Sequence, residues 1–185
     1  MEAIPEAVRP DPAFRKQVEE ALGQTISSCF HCNRCSSGCP VSFAMDLFPN
    51  RVVRMAQMGL KAQVLGSSTI WLCASCETCT TRCPNGVDIA GLMDALRQMA
   101  IREGTPAAEA NIPRFHSAFL ASVKKRGRVY ETGMLADYKR KAGGLFKDAG
   151  LGWEMFKRGK LKLLPVGVRQ KEQIREIFRK GENGS

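Results

Sequence analysis

Cys29-Phe30-His31-Cys32-Asn33-Arg34-Cys35-Ser36-Ser37-Gly38-Cys39-Pro40 is answered forty-four residues later by Cys73-Ala74-Ser75-Cys76-Glu77-Thr78-Cys79-Thr80-Thr81-Arg82-Cys83-Pro84. Both stretches read C-x2-C-x2-C-x3-C-P, the bacterial-type ligand run for a [4Fe–4S] cluster. Together they use all eight cysteines of the 185-residue chain. Three cysteines at this spacing share one tight loop, so three thiolates can hold three corners of one iron–sulfur cube. In two-cluster proteins of this pattern the cysteine before proline ligates the other cluster. The expected sets are Cys29, Cys32, Cys35 and Cys83 for cluster 1, and Cys73, Cys76, Cys79 and Cys39 for cluster 2. The fixed φ of Pro40 and Pro84 aims the preceding thiolate. A four-cysteine zinc site needs neither the third cysteine at x2 nor the fourth before proline.

Outward from these runs, the chain reads as helical. Asp11-Pro12 is expected to open a helix, with Phe14, Val18 and Leu22 on one stripe and Gly23 near its end. The connector, residues 41–72, also reads as helical: Asn50 is a candidate cap for a segment carrying Val52, Val53, Met55, Ala56 and Leu60, broken at Gly59. Ser67-Ser68 is a candidate cap for a turn through Ile70, Trp71 and Leu72. Asp88 is expected to cap a helix with Ile89, Leu92, Met93, Leu96, Met99 and Ala100 inward, closed by Gly104. A further helix is expected over residues 113–126, with Phe115, Phe119 and Val123 at helical spacing, stopped by Gly127. Beyond it Gly143-Gly144, Gly150, Gly152 and Gly159 suggest an irregular arm bearing Trp153, Met155, Phe156 and the run Leu161–Pro165. A last amphipathic helix is expected over residues 168–180 with Ile174, Ile177 and Phe178. The arm's apolar residues have two possible partners, another subunit or the cluster-bearing part of the chain.

Charge divides the chain. Residues 1–100 hold nine basic and nine acidic residues, and residues 101–185 hold nineteen and nine, which accounts for the net +10. Two oxidised clusters with their thiolates would lower that to about +6. The basic tail carries no nucleic-acid motif and interleaves its cations with apolar residues, so a protein-docking face fits it better, with a solvated basic face as the other reading. No apolar run approaches a membrane span. The opening MEAIPEAVRPDPAFRK lacks the apolar stretch of a leader, which, with clustered cysteines, leads to the expectation of a reducing, cytoplasmic setting. The methionines read as core fillers. Arg34 and Arg82 lie inside the ligand loops, where they either raise a cluster's potential or stand solvated. His31 reads as a loop contact and His116 as structural. No Ser/His/Asp set, paired carboxylates or phosphate loop is recognisable, so no substrate-converting site is expected.

Taken together, these residues resemble the family of the iron–sulfur C subunit of heterodisulfide reductase. The features that match are the two runs with their helical connector (Pro49…Gly59), Ile70-Trp71-Leu72-Cys73, the stretch after Pro84 (Asn-Gly-Val-Asp-Ile…Leu-Met…Leu-Arg), and Gly-Lys-Leu-Lys-Leu-Leu-Pro over residues 159–165. The cysteine runs alone are shared with iron–sulfur subunits of other dehydrogenases. The resemblance implies an all-α fold: an α-helical ferredoxin domain over residues 1–110 with two cluster loops, and a basic, partly irregular helical extension over residues 111–185 that docks other subunits. It implies two [4Fe–4S] clusters and an electron-transfer role within an oxidoreductase complex, between a flavin-containing subunit and a catalytic one bearing a Cys-Cys-Gly signature. That signature is absent here, since no two cysteines are neighbours. A free-standing dicluster ferredoxin is the alternative.

Overall fold

The computed structural model describes residues 10–143, 149–160 and 167–183. Gly144 and the run Leu161–Pro165 lie outside the described residues. Among those described, every regular element is helical, so the chain is all-α. It divides into two units, Met1–Ala110 and Asn111–Ser185.

The first unit is built on α7 (Ile89–Arg102), against which α1 (Phe14–Leu22), α3 (Pro49–Gln57), α4 (Lys61–Leu65), α5 (Thr69–Leu72) and α6 (Thr78–Thr81) are laid. Its apolar face, Ile89, Leu92, Met93 and Leu96, is buried together with Phe14, Val18, Val52, Val53, Val64 and Ile70. Met93 and Met99 are core side chains. Asp88 caps α7, its carboxylate accepting from Gly91 N–H at 2.8 Å, and Gly104 follows the last turn at φ 67°. α1 begins later than the Asp11-Pro12 signal suggests. Asp11 Oδ1 accepts from Ala13 N–H at 2.9 Å in a turn just ahead of the helix.

The connector holds a short 3-10 turn, Ser42–Ala44, and three α-helices, α3, α4 and α5; Ser68 stands at the N-cap of α5 with Ser67 Oγ accepting from Thr69 N–H at 3.0 Å, as expected, but the Asn50 cap differs. Pro49 takes the first position of α3, which places Asn50 inside the first turn. Asn50 instead binds the first cysteine loop: its Oδ1 accepts from Ser36 Oγ at 2.7 Å, and its N–H donates to the same oxygen at 3.1 Å. Asp46 adds to the cap of α5, accepting from Ser68 N–H at 2.9 Å, Thr69 N–H at 3.0 Å, Ser67 Oγ at 3.0 Å and Thr69 Oγ1 at 2.7 Å. Burial opposes ionisation of Asp46, but these four donors, led by Thr69, hold its carboxyl well below the usual range. Gly59 is required where it stands. Its φ is 74°, and a Cβ there would run into the carbonyl oxygen of Asp11.

The second unit contains α8 (Asn111–Arg126), α9 (Glu131–Ala142), α10 (Ala149–Lys157) and α11 (Lys171–Asn183), with α9 and α11 against α8. The side chains that α8 buries are Ala118 and Ser122, while Phe115 and Phe119 remain 39 % exposed, so the expected aromatic stripe is only half covered. Ser122 Oγ accepts from Tyr130 N–H at 2.9 Å and joins the α8–α9 corner. The segment read as an irregular arm is helical in α9 and α10, and Trp153, Met155 and Phe156 lie on α10. Ion pairs three or four residues apart support these helices: Asp137 with Arg140 (2.7 Å) and Lys141 (2.9 Å), and Glu154 with Arg158 (3.7 Å). His116 is exposed on α8.

Candidate functional site

The two cysteine runs fold alike. His31 and Asn33 have φ of 56° and 66°, and Ser75 and Glu77, at the corresponding places, 50° and 60°. Left-handed residues on each side of the second cysteine turn successive backbone N–H groups toward the loop's interior, the concavity that accommodates anions. One residue before its third cysteine each loop enters a four-residue helix, α2 (Arg34–Ser37) or α6 (Thr78–Thr81), and these two helices lie side by side.

Each loop is also tied in the same way to the long helix that follows it. In the first, Ser36 makes the paired contact with Asn50 at the start of α3. In the second, Thr80 Oγ1 donates to Asp88 Oδ1 at 3.0 Å and accepts from Ala90 N–H at 3.2 Å at the start of α7. One hydroxyl, one side-chain acceptor and one first-turn amide recur twice. Glu19 organises the approach to Cys29 by accepting from Thr25 Oγ1 (2.8 Å) and Ile26 N–H (3.0 Å). Beyond Pro84, Gln24 clamps the turn, donating to Gly86 O at 2.8 Å and accepting from Asp88 N–H at 3.0 Å.

Cys29, Cys32, Cys35 and Cys83 line one pocket, together with Phe30, His31, Asn33, Arg34, Asn50, Pro84, Asn85 and Ile89. The fourth cysteine of the second run thus lies beside the first three of the first run. Among the described residues no three Cys, His, Asp or Glu side chains converge closely enough to share one metal ion. The four sulfurs surround a space instead of a point, and an all-thiolate donor set around a cavity fits a cluster. Cys83 Sγ additionally accepts from Val87 N–H at 3.3 Å. In the second loop Cys73 and Cys79 lie near enough for their charges to interact, and Cys39 follows Gly38, the C-cap of α2. Burial pushes the Cys35 thiol up, and pushes that of Cys79 up to about 11. Cys76 is shifted the other way by the Thr78 hydroxyl, 3.4 Å from its sulfur. Cys32 and Cys76, the second cysteine of each run, are the exposed ones.

His31 spans loop and connector, with Nε2 3.0 Å from Gln57 Oε1 and Nδ1 3.8 Å from Cys29 Sγ. The Gln57 amide is oriented by its donation to Ile26 O at 2.6 Å, so Nε2 of His31 is the donor of that contact. Arg34 and Arg82 are both exposed, on α2 and just beyond α6. The Arg82 side chain crosses to the first loop and covers Gly38, where a Cβ would collide with its guanidinium. Gly38 and Arg82 occupy the same place in the two runs, so one yields room to the other.

The comparisons with known proteins agree with this geometry. Residues 25–87 match the family model described as a 4Fe-4S dicluster domain. The C subunit of a ferredoxin:CoB-CoM heterodisulfide reductase from Methanosarcina mazei is 38 % identical over 88 residues, 48 % of this chain and 54 % of that protein. The C subunit of a ferredoxin/F(420)H(2)-dependent CoB-CoM heterodisulfide reductase from Methanosarcina acetivorans is 39 % identical over 85 residues, 46 % of this chain and 52 % of its own. A longer match, 29 % over 125 residues, covers 68 % of this chain and 64 % of the C2 subunit of an H(2)/formate:CoB-CoM heterodisulfide,ferredoxin reductase from Methanococcus maripaludis. The chain spans about half the length of the first two relatives. The chain is thus similar to C subunits of heterodisulfide reductase, and the part of its first unit that holds both cysteine runs matches the 4Fe-4S dicluster domain.

Proposed function

We propose that this chain is the electron-transfer subunit of a heterodisulfide-reductase-type complex, relaying electrons between a flavin-containing subunit and a Cys-Cys-Gly-bearing subunit that acts on a disulfide or bound sulfur. The observation that carries the reading is the crossing of Cys83 into the cavity of Cys29, Cys32 and Cys35, with α2 and α6 side by side. Cys29, Cys32, Cys35 and Cys83 would hold one cluster, and Cys73, Cys76, Cys79 and Cys39 the other. Each cluster, when bound, supplies a one-electron carrier.

The protein's own contribution is position and environment. The Ser36–Asn50 and Thr80–Asp88 contacts fix each ligand loop against a core helix. The Val87 N–H on Cys83 Sγ and the cationic side chains near Cys32 favour the reduced, more negative state of the first cluster. Ile89 and Phe30 line the cavity with apolar surface. The relatives' names state CoB-CoM heterodisulfide as what those enzymes act on, which supports a disulfide or bound sulfur as terminal acceptor here. The basic second unit is the proposed subunit-docking region. Among the described residues no helix is long and apolar enough to cross a membrane, which fits the proposed cytoplasmic setting. The test is anaerobic isolation of the native complex. Co-purification with a flavoprotein and a Cys-Cys-Gly protein is expected; a stable monomer that binds neither refutes the reading.

A further inference from the structure

Cys32 and Cys76 are the exposed cysteines and would put the solvent-facing edge of each cluster at their loops, where the neighbouring charged side chains differ: Arg34 in the first and Glu77 in the second. Beside Cys32 an open cleft at the junction of the loops is lined by Arg34, Ser37, Thr81 and Arg82. Neither guanidinium has a carboxylate partner among the described residues. The hydroxyl protons of Ser37 and Thr81 are already given to Asn33 O (3.1 Å) and Glu77 O (2.9 Å), so the cleft's free donors are those of the two arginines. Phe30, next in the same loop, is 74 % exposed, and Phe43 is 88 % exposed. At the corresponding places the second loop has Ala74 for Phe30 and Glu77-Thr78 for Asn33-Arg34. Arg97 of α7, which reaches Cys76's loop, is turned inward at 11 % exposure and donates to Ser75 Oγ at 2.8 Å.

We infer that the cleft beside Cys32 is the docking port for the acidic one of the chain's two electron-exchange partners, with a partner carboxylate seated between Arg34 and Arg82 and an apolar contact on Phe30. This rests on the relay reading. Two free guanidiniums match a carboxylate in a way the Cys76 edge, fronted by Glu77, cannot, so charge alone gives the two ends different partners. An exposed aromatic and two exposed cations on the same pair of loops have the composition of a transient interface.

The test uses the fully loaded, full-length protein and flavodoxin, an acidic one-electron protein, as probe, with binding measured by calorimetry at low and moderate salt. Arg34→Gln is expected to weaken binding about two- to fivefold at low salt, the gap closing as salt rises. Lys16→Gln removes the same charge from α1 and is expected to leave binding unchanged, as is Glu77→Gln. Equal weakening by Arg34→Gln and Lys16→Gln would overturn the port, since general attraction would explain both. So would duplex DNA that binds the protein more tightly than flavodoxin and loses that advantage in Arg34→Gln. A preparation without bound clusters would bring down the relay reading and the port together, whereas equal weakening in fully loaded protein removes the port alone.

Discussion

Replacing Ser36 by Ala tests how the ligand loops are held. Ser36 is only 6 % exposed, and its hydroxyl makes two contacts with Asn50, donating at 2.7 Å and accepting at 3.1 Å. Each such bond contributes about 0.5–1.5 kcal/mol net, and the variant leaves a first-turn amide without its acceptor, so the loss should be about 2 kcal/mol. If these bonds break before the cluster is released, that is about a thirtyfold faster release. The assay is the anaerobic decay of cluster absorbance in the presence of a ferrous chelator, for Ser36→Ala, Asn50→Ala and the double variant. Because both bonds join the same pair, the double variant should release its cluster little faster than Ser36→Ala, with a coupling of about 1 kcal/mol or more. Fully additive effects, or an unchanged release rate in Ser36→Ala, would refute the reasoning. Thr80→Val should act in the same direction on the second loop through its contacts with Asp88 and Ala90.

Gly59→Ala should lower Tm by clearly more than Gly86→Ala. Both residues have positive φ, at about 1–3 kcal/mol of strain for a side chain, but only at Gly59 does a Cβ strike backbone, that of Asp11, and open space surrounds Gly86. Asp46→Ala should cost about 1 kcal/mol, the usual worth of a cap, in denaturant titrations at neutral pH. Because hydrogen bonds hold the Asp46 carboxyl below its ordinary value, its contribution is fully present above about pH 4 and fades only as pH falls below that. The stability gap between wild type and Asp46→Asn should therefore be flat from about pH 6 to 9; a gap that changes across that range contradicts the assignment. Cys83→Ser should disturb the cluster held by Cys29, Cys32 and Cys35, and Cys39→Ser the other, as read by paramagnetic resonance of the reduced protein. Loss confined to each variant's own loop would contradict crossed ligation.

What could be read from the sequence was local. The cysteine spacing, the Asp88 cap and the buried face of α7 all depend on residues within a few positions of one another. The misread cap involves a partner farther along the chain, Asn50 being claimed by Ser36 fourteen residues away, and the Ser67-Ser68 cap of α5 has an unforeseen partner in Asp46, more than twenty residues away. Nothing in the local pattern distinguishes a capping asparagine from one held by tertiary contact. Of the left-handed residues of the ligand loops, Ser75 and Glu77 carry no local signal, whereas His31 and Asn33 are of types enriched in that conformation. Helices α9 and α10 were obscured by the glycines around them, although the acid–base pairs at Asp137 and Glu154 were a usable helical signal. The crossing of Cys83 lies outside anything local spacing can fix, and the cavity lining is what supports it.

The most direct measurement is elemental analysis of the protein purified without oxygen, combined with spin quantification after reduction. About eight iron and eight sulfide per chain, with two magnetically interacting centres, are expected from paired cubes on eight thiolates. A colourless protein, zinc in place of iron, or half that iron with a single isolated centre would contradict the account.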